Sequence, residues 1–158
     1  MEDNGILPLI IERLAGTPAR IEELTGNLDA AILTKKVNDK WSIKEEVGHL
    51  SDIEVLWLTR LNDLIAGLPE LTVADLTNQK THNANHNAAE LSVLFQQFRV
   101  QRKEFVNKLL ALTDEQLLNS SLHPRLKVPM RIIDLAYFVA EHDDHHLSNI
   151  RVLMNKGM

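Results

Sequence analysis

The stretch Leu135-Ala136-Tyr137-Phe138-Val139-Ala140-Glu141-His142-Asp143-Asp144-His145-His146-Leu147-Ser148-Asn149-Ile150-Arg151-Val152-Leu153 sets the reading of the whole chain. Its apolar residues recur three and four positions apart, the period of a helix rather than a strand. At about 100° per residue, Leu135, Val139, Ile150 and Leu153 fall within about 80° of His142, and His142 and His146 project from one face about 40° apart. Two histidines therefore stand where a core-facing stripe calls for apolar residues.

A buried imidazole needs partners for both ring nitrogens. A metal ion can supply one and a carboxylate or carbonyl the other. Spacing alone equally allows a polar helix end whose histidines are solvated or satisfied by Asp143 and Asp144. His145 lies about 60° to the other side, beside Phe138 and Asn149, and reads as a flanking residue, with an i, i+3 ligating pair with His142 as the lesser alternative. The His142/His146 spacing equals that of the metalloprotease helix, but Asp143 stands where that motif has its glutamate, which speaks against a protease.

The same period runs through the rest of the chain and gives four main helices. The first is broken: Ile6 to Ala15, an interruption at Gly16-Thr17-Pro18, and a restart from Ala19 to Leu24, with Gly26-Asn27 as its end. The second starts at the capping box Ser42-Ile43-Lys44-Glu45 and runs to about Gly67, before Pro69. A long polar connection follows, from Pro69 to Asn87. The third helix spans Ala88 to Leu112 on a stripe that includes Leu91, Leu94, Phe98, Phe105 and Leu109. Beyond Thr113-Asp114-Glu115 and a connection containing Pro124 and Pro129, the fourth helix runs from about Met130 to Met154. With no strands expected, the fold class is all-α, a four-helix bundle forming one domain over residues 1–158.

A third ligand for His142 and His146 would come from another helix, and His49 is the candidate, about two turns into the second helix near the margin of its apolar arc. Three neutral imidazoles suit zinc or nickel with an open coordination position. Metal held this way is expected to leave as pH falls below about 6, because a protonated imidazole cannot ligate. His82-Asn83-Ala84-Asn85-His86 repeats the i, i+4 spacing without an apolar face, so a solvated loop is expected there, with contact to a pocket as the second choice. Glu54 sits inside the second helix's apolar arc and breaks the pattern. Either it pairs with a basic group such as Arg60 or Arg99, contributes near the site, lies on a helix face turned to a partner subunit, or rotates to the surface. Trp41 and Trp57 read as core or interface anchors.

Composition narrows the chemistry. The 158 residues carry no cysteine, seven histidines and a formal charge of -5. A disulfide framework, a thiolate zinc site and a cysteine nucleophile are excluded. The acidic balance argues against nucleic acid as a partner, since phosphate binding needs a basic face. No apolar run is long enough to cross a membrane, and Met1-Glu2-Asp3-Asn4-Gly5 has no basic n-region, so a cytoplasmic protein is expected. No phosphate-cradling glycine loop or nucleophile elbow is present.

Trp41-Ser42-Ile43-Lys44-Glu45 leading to His49-Leu50, then Trp57 to Leu61, then His123-Pro124 through Ala140-Glu141-His142-Asp143-Asp144-His145-His146-Leu147-Ser148-Asn149-Ile150-Arg151, form an ordered set. In that combination the chain resembles the DinB-like superfamily, helical bundles related to damage-inducible DinB of bacilli and to mycothiol- and bacillithiol-dependent transferases. The resemblance implies an up-down-down-up bundle, often a homodimer, that holds a divalent metal through His49, His142 and His146. Those relatives commonly have Gln-Ile where this chain has Asn149-Ile150, and often a glycine where it has Leu126-Lys127. Both departures lie outside the three histidines.

The function expected is that of a divalent-metal-dependent enzyme whose site activates a water or an external low-molecular-weight thiol, as a hydrolase or a thiol S-transferase acting on a small-molecule substrate. Without cysteine, any thiol must arrive as a cosubstrate. The alternative is a noncatalytic metal-binding or dimerising bundle. Asp52, Asp143 and Asp144 are sequence neighbours of the ligands with no assigned role. His82, His86, His123 and His145 remain unassigned.

Overall fold

A computed structural model describes residues 3–157. Met1, Glu2 and Met158 lie outside the described residues, and with them part of the acidic opening. Four long helices carry the architecture: α1 (Leu7–Thr25), α3 (Ile43–Ile65), α5 (Leu91–Leu110) and α7 (Ile132–Gly157). Short helices α2 (Ala30–Thr34), α4 (Gln79–Asn83) and α6 (Asp114–Leu117) occupy the connections. No helix among the described residues is long and apolar enough to cross a membrane.

The capping box forms as the sequence predicts. Ser42 Oγ accepts from the Glu45 N–H at 3.2 Å, and Glu45 Oε2 accepts from the Ser42 N–H at 2.8 Å. At the other end of α3, Gly67 takes a left-handed φ of 65°, which a residue without Cβ adopts at no steric cost.

Two expectations are corrected. The first helix is continuous through Gly16-Thr17-Pro18. Pro18 withdraws the N–H that would reach the Leu14 carbonyl, and Arg102 Nη1 donates to that carbonyl instead, at 3.3 Å. Strands are also present: β1 (Ser120–Leu122) and β2 (Pro129–Arg131) pair antiparallel, with Ser121 opposite Met130. Each has three residues, too few for alternation to register in the sequence. This pairing takes Met130 out of the fourth helix and delays its start to Ile132.

Side-chain contacts fix the helix directions. Ser42 Oγ meets Asn87, Lys44 Nζ meets the Ala89 carbonyl, Ser51 meets Gln101 and Glu54 meets Arg102. Residue numbers rise together, so α3 and α5 run parallel, and the long connection before α5 exists to carry the chain back. In contrast, α3 meets α7 through Glu46 to His146 and Trp57 to Phe138, an antiparallel order. Around the bundle, α1 packs on α5 and α7, and α3 packs on α5 and α7. The result is the up-down-down-up order.

The apolar core is divided. One cluster includes Leu14, Trp57, Leu61, Phe105 and Leu135; the other includes Ile21, Val47, Leu50, Phe98 and Ile150. A buried ionic layer centred on Arg102 belongs to neither. Its guanidinium, 1% exposed, donates to both oxygens of Glu54 at 2.8 Å and to both oxygens of Asp143. Glu54 is 0% exposed, so the surface alternative fails, and its partner is Arg102 rather than Arg60 or Arg99. Burial pushes the Glu54 carboxyl up while Arg102 pulls it down. Burial also pulls on Arg102, but the two carboxylates outweigh it and hold the guanidinium firmly charged.

Candidate metal centre

α3 and α7 lie side by side and antiparallel, which turns His49 on one toward His142 and His146 on the other. The His142 and His146 Nε2 atoms are 3.1 Å apart, and His49 Nε2 is 3.4 Å from His142 Nε2. One nitrogen from each ring falls within 4.8 Å of the other two. Ligand nitrogens about 2.0–2.1 Å from a tetrahedral zinc stand about 3.3 Å from one another, so the observed spacing matches one edge of such a site.

Proton positions strengthen the fit. Thr81 Oγ1 gives its single proton to Asp52 Oδ2 at 2.9 Å, so its contact with His49 Nδ1, 3.1 Å away, is made by an Nδ1–H donor. His146 Nδ1 lies 2.5 Å from Glu46 Oε2, and a carboxylate there also calls for an Nδ1–H. Both rings consequently turn an Nε2 lone pair inward, toward His142. Lone pairs facing one another at these distances repel unless a proton or a cation lies between them. His142 Nδ1 is buried without a partner among the described residues. The donor set is entirely nitrogen, with oxygens behind it, as borderline divalent ions prefer.

Burial, with the neighbouring imidazoles adding to it, pulls His49 down to about 3 and His142 down to about 2. Both rings stay neutral, the form that ligates.

The supporting residues were not apparent from the sequence as such. Glu46, in the first turn of α3, is freed for this role because its neighbour Glu45 does the capping. Trp41 covers the site, its ring centroid 4.6 Å from His49 and 6.2 Å from His146. His86 corrects the solvated-loop expectation: it is 7% exposed and donates to Asp52 at 2.8 Å. Room for its ring exists because residue 48 is glycine; a Cβ there would sit 2.4 Å from the imidazole. His82 does remain exposed, edge-on to Trp41.

The carboxylates adjacent in sequence to the three histidines are engaged elsewhere. Asp52 serves Thr81 and His86, Asp143 faces Arg102 and Thr17, and Asp144 pairs with Arg13 and Arg20. The three histidines open on a cleft of about 1060 Å³ that Trp41, Trp57 and Phe138 help to wall, with His145 and His123 also on its lining. That volume accommodates a small molecule of drug size or somewhat larger.

The sequence profile of the DinB superfamily matches residues 13–150. Among solved structures, YfiT from Bacillus subtilis, described as a probable metal-dependent hydrolase with an unusual four-helix bundle topology, is similar with a TM-score of 0.84. The likeness covers 94% of this chain and 86% of that one at 18% identity, and at that identity it speaks to fold. No curated protein matches.

Proposed function

The chain belongs to the DinB superfamily, and from that premise we propose that it is a divalent-metal-dependent enzyme acting on a small molecule, with His49, His142 and His146 as the ligands. The reading is carried by one observation: two imidazoles, each with its Nδ1–H committed to an oxygen acceptor, aim their Nε2 lone pairs at a third ring. An all-nitrogen donor set without thiolate favours zinc or nickel.

A divalent ion held there supplies Lewis acidity, making water or an external thiol nucleophilic at neutral pH. The chain's own residues do the rest. Glu46 and the Thr81–Asp52 pair hold the rings in orientation, and Trp41 and Trp57 exclude water from the flanks of the site. His145, exposed on the cleft lining with its ring centroid 5.1 Å from His146, is the proton carrier within reach once Asp52, Asp143 and Asp144 are discounted. Hydrolysis is the preferred reaction, in line with the description of YfiT. Transfer to a low-molecular-weight thiol is the second, and the cleft is large enough to admit one.

The test is the metal content of protein purified without chelator, after zinc or nickel supplementation, beside His49→Ala, His142→Ala and His146→Ala. One equivalent in the parent chain and loss in each variant is expected, followed by ester or amide hydrolysis and thiol conjugation assays on the loaded protein. Undiminished binding in all three variants would discard the triad.

A further inference from the structure

His49, Ile53, Trp57 and Arg60 recur along α3 at helical intervals and all line the same cleft. From His49 to Arg60 is three turns, about 16 Å along the axis. The cleft thus has a histidine end and an arginine end, with Trp57 between them. The Trp57 ring centroid is 5.5 Å from that of His142, and the Arg60 guanidinium carbon is 6.0 Å from the Trp57 ring.

Arg60 is 3% exposed, yet among the described residues it forms no ion pair within 4 Å. Its Nε donates to the Thr72 carbonyl at 2.9 Å, while its two terminal nitrogens have no protein acceptor among the described residues. The adjacent carboxylate, Asp63, turns its Oδ2 to the Thr72 N–H and Thr72 Oγ1, both at 2.8 Å, and acts on Arg60 as a nearby charge rather than a hydrogen-bond partner. That counter-charge leaves the two terminal nitrogens without a protein acceptor among the described residues, and Arg60 lines the cleft, so the fork is open to an oxyanion there.

One other donor shares this end. His123 Nδ1 accepts from the backbone N–H groups of Arg125 and Leu126, at 3.2 and 3.1 Å. A neutral His123 ring therefore carries its proton on Nε2. Burial, then Arg60 and Arg125, lower the His123 pKa, which keeps that neutral donor at physiological pH. Trp57 Nε1 is buried nearby with no partner among the described residues, so its indole N–H serves as a reporter of the site rather than a donor to it. Glu70, the carboxylate of the lining on this side, is paired with Lys127 at 2.9 Å. The Arg60 fork and the His123 Nε2–H, both on the cleft lining, are donors without a protein acceptor among the described residues.

We infer that Arg60 and His123 form an oxyanion subsite beside Trp57, so that the substrate carries a carboxylate or phosphate at the end of the molecule remote from its reacting bond. The inference deepens the metal-enzyme reading and rests on it only for the identity of the bound molecule as substrate. A planar fork suits either oxyanion.

The experiment uses metal-free protein, so that no anion can be held by an ion, and titrates acetate and inorganic phosphate near neutral pH. The Trp57 indole N–H and Arg60 Nε–H resonances are followed by NMR. Saturable shifts of both resonances are expected with at least one probe, and the tighter probe identifies the oxyanion class. Affinity should fall by about tenfold or more in Arg60→Gln, fall less in Arg60→Lys, which keeps charge but loses the fork, and stay unchanged in Arg99→Gln. His123→Ala, which leaves the Arg60–Thr72 bond in place, should also weaken binding. No saturable shift with either probe, or parent-like affinity in a folded Arg60→Gln, overturns the subsite. Anion binding that appears only with zinc and survives Arg60→Gln overturns it too, while sparing the metal site. Arg60-dependent binding in a protein that takes up no metal upholds the subsite and removes the metal reading instead.

Discussion

Arg102 donates to the Leu14 carbonyl at 3.3 Å, filling the position that Pro18 leaves empty in the hydrogen-bond ladder of α1. One guanidinium thereby mends a helix and neutralises two carboxylates from two other helices. Arg102→Met should cost about 3–5 kcal/mol, because it strands Glu54 and Asp143 without a counter-charge. Replacing Glu54, Arg102 and Asp143 together by apolar residues of similar volume should cost much less, or nothing. Urea unfolding of the two variants measures both; a single substitution within about 1 kcal/mol of the parent would contradict the account.

What the sequence could reveal follows from where each signal resides. The capping box at Ser42, the length of α3 and the shared face of His142 and His146 are local and were legible. Pro18 misled because its local rule was overridden by a residue more than eighty positions away. Glu54 announced itself as a misfit, but its partner depends on α3 and α5 running parallel, which no residue of either helix encodes. His86 lies outside any periodic segment, so periodicity is blind to it. The usable clue was Gly48, a glycine placed mid-helix, where it costs about 1 kcal/mol unless something needs the space.

Gly48→Ala tests that relationship. The new methyl group collides with the His86 ring, which must then leave Asp52. A loss of about 1–3 kcal/mol is expected. In a His86→Ala background the same substitution should be harmless or slightly stabilising, since the space is vacated and alanine is the better helix former. Equal penalties in both backgrounds, read from thermal unfolding, would show that the ring is not what the glycine accommodates.

Glu46 and Thr81 orient the proposed ligands without touching the ion. Glu46→Gln weakens the hold on His146, and Thr81→Val removes the acceptor for His49 Nδ1–H. Each should lower zinc affinity by about 10–100-fold with the fold retained. Asp144→Asn, on the arginine-paired side of the same helix, should not. Competition against a chromophoric chelator gives the constants, and parent-like affinity in both Glu46→Gln and Thr81→Val would refute an orienting role.

Lys127 has a left-handed φ of 55° in the turn between β1 and β2. This falls within the pair of positions where relatives often carry glycine, and it gives that departure a physical cost. Lys127→Gly relieves the backbone but gives up the exposed pair with Glu70, which contributes little. A net stabilisation of about 0.5–1 kcal/mol is expected. A destabilised variant by chemical unfolding would mean that the lysine side chain matters more than its backbone.

Acid should act on the metal-free protein through His49 and His142. In the unfolded chain both titrate near the ordinary 6.5; folded, they are held down to about 3 and about 2, first by burial and then by the imidazoles around them. From pH 6.5 down toward 3 the unfolded state therefore binds more protons than the native one. The stability that these rings contribute is complete above 6.5 and is lost as the pH falls through that interval. At about 1.4 kcal/mol per unit, most of the loss is spread over a range that urea midpoints between pH 7 and 5 begin to sample. Variants His49→Ala and His142→Ala should each flatten that slope; an unchanged slope in both would place the acid sensitivity elsewhere. The same depression means that protons compete weakly for the imidazoles, so zinc should be released at a pH below the value of about 6 expected for solvated rings. Release at or above pH 6, followed with a chromophoric chelator, would show that the rings are not held neutral by the fold.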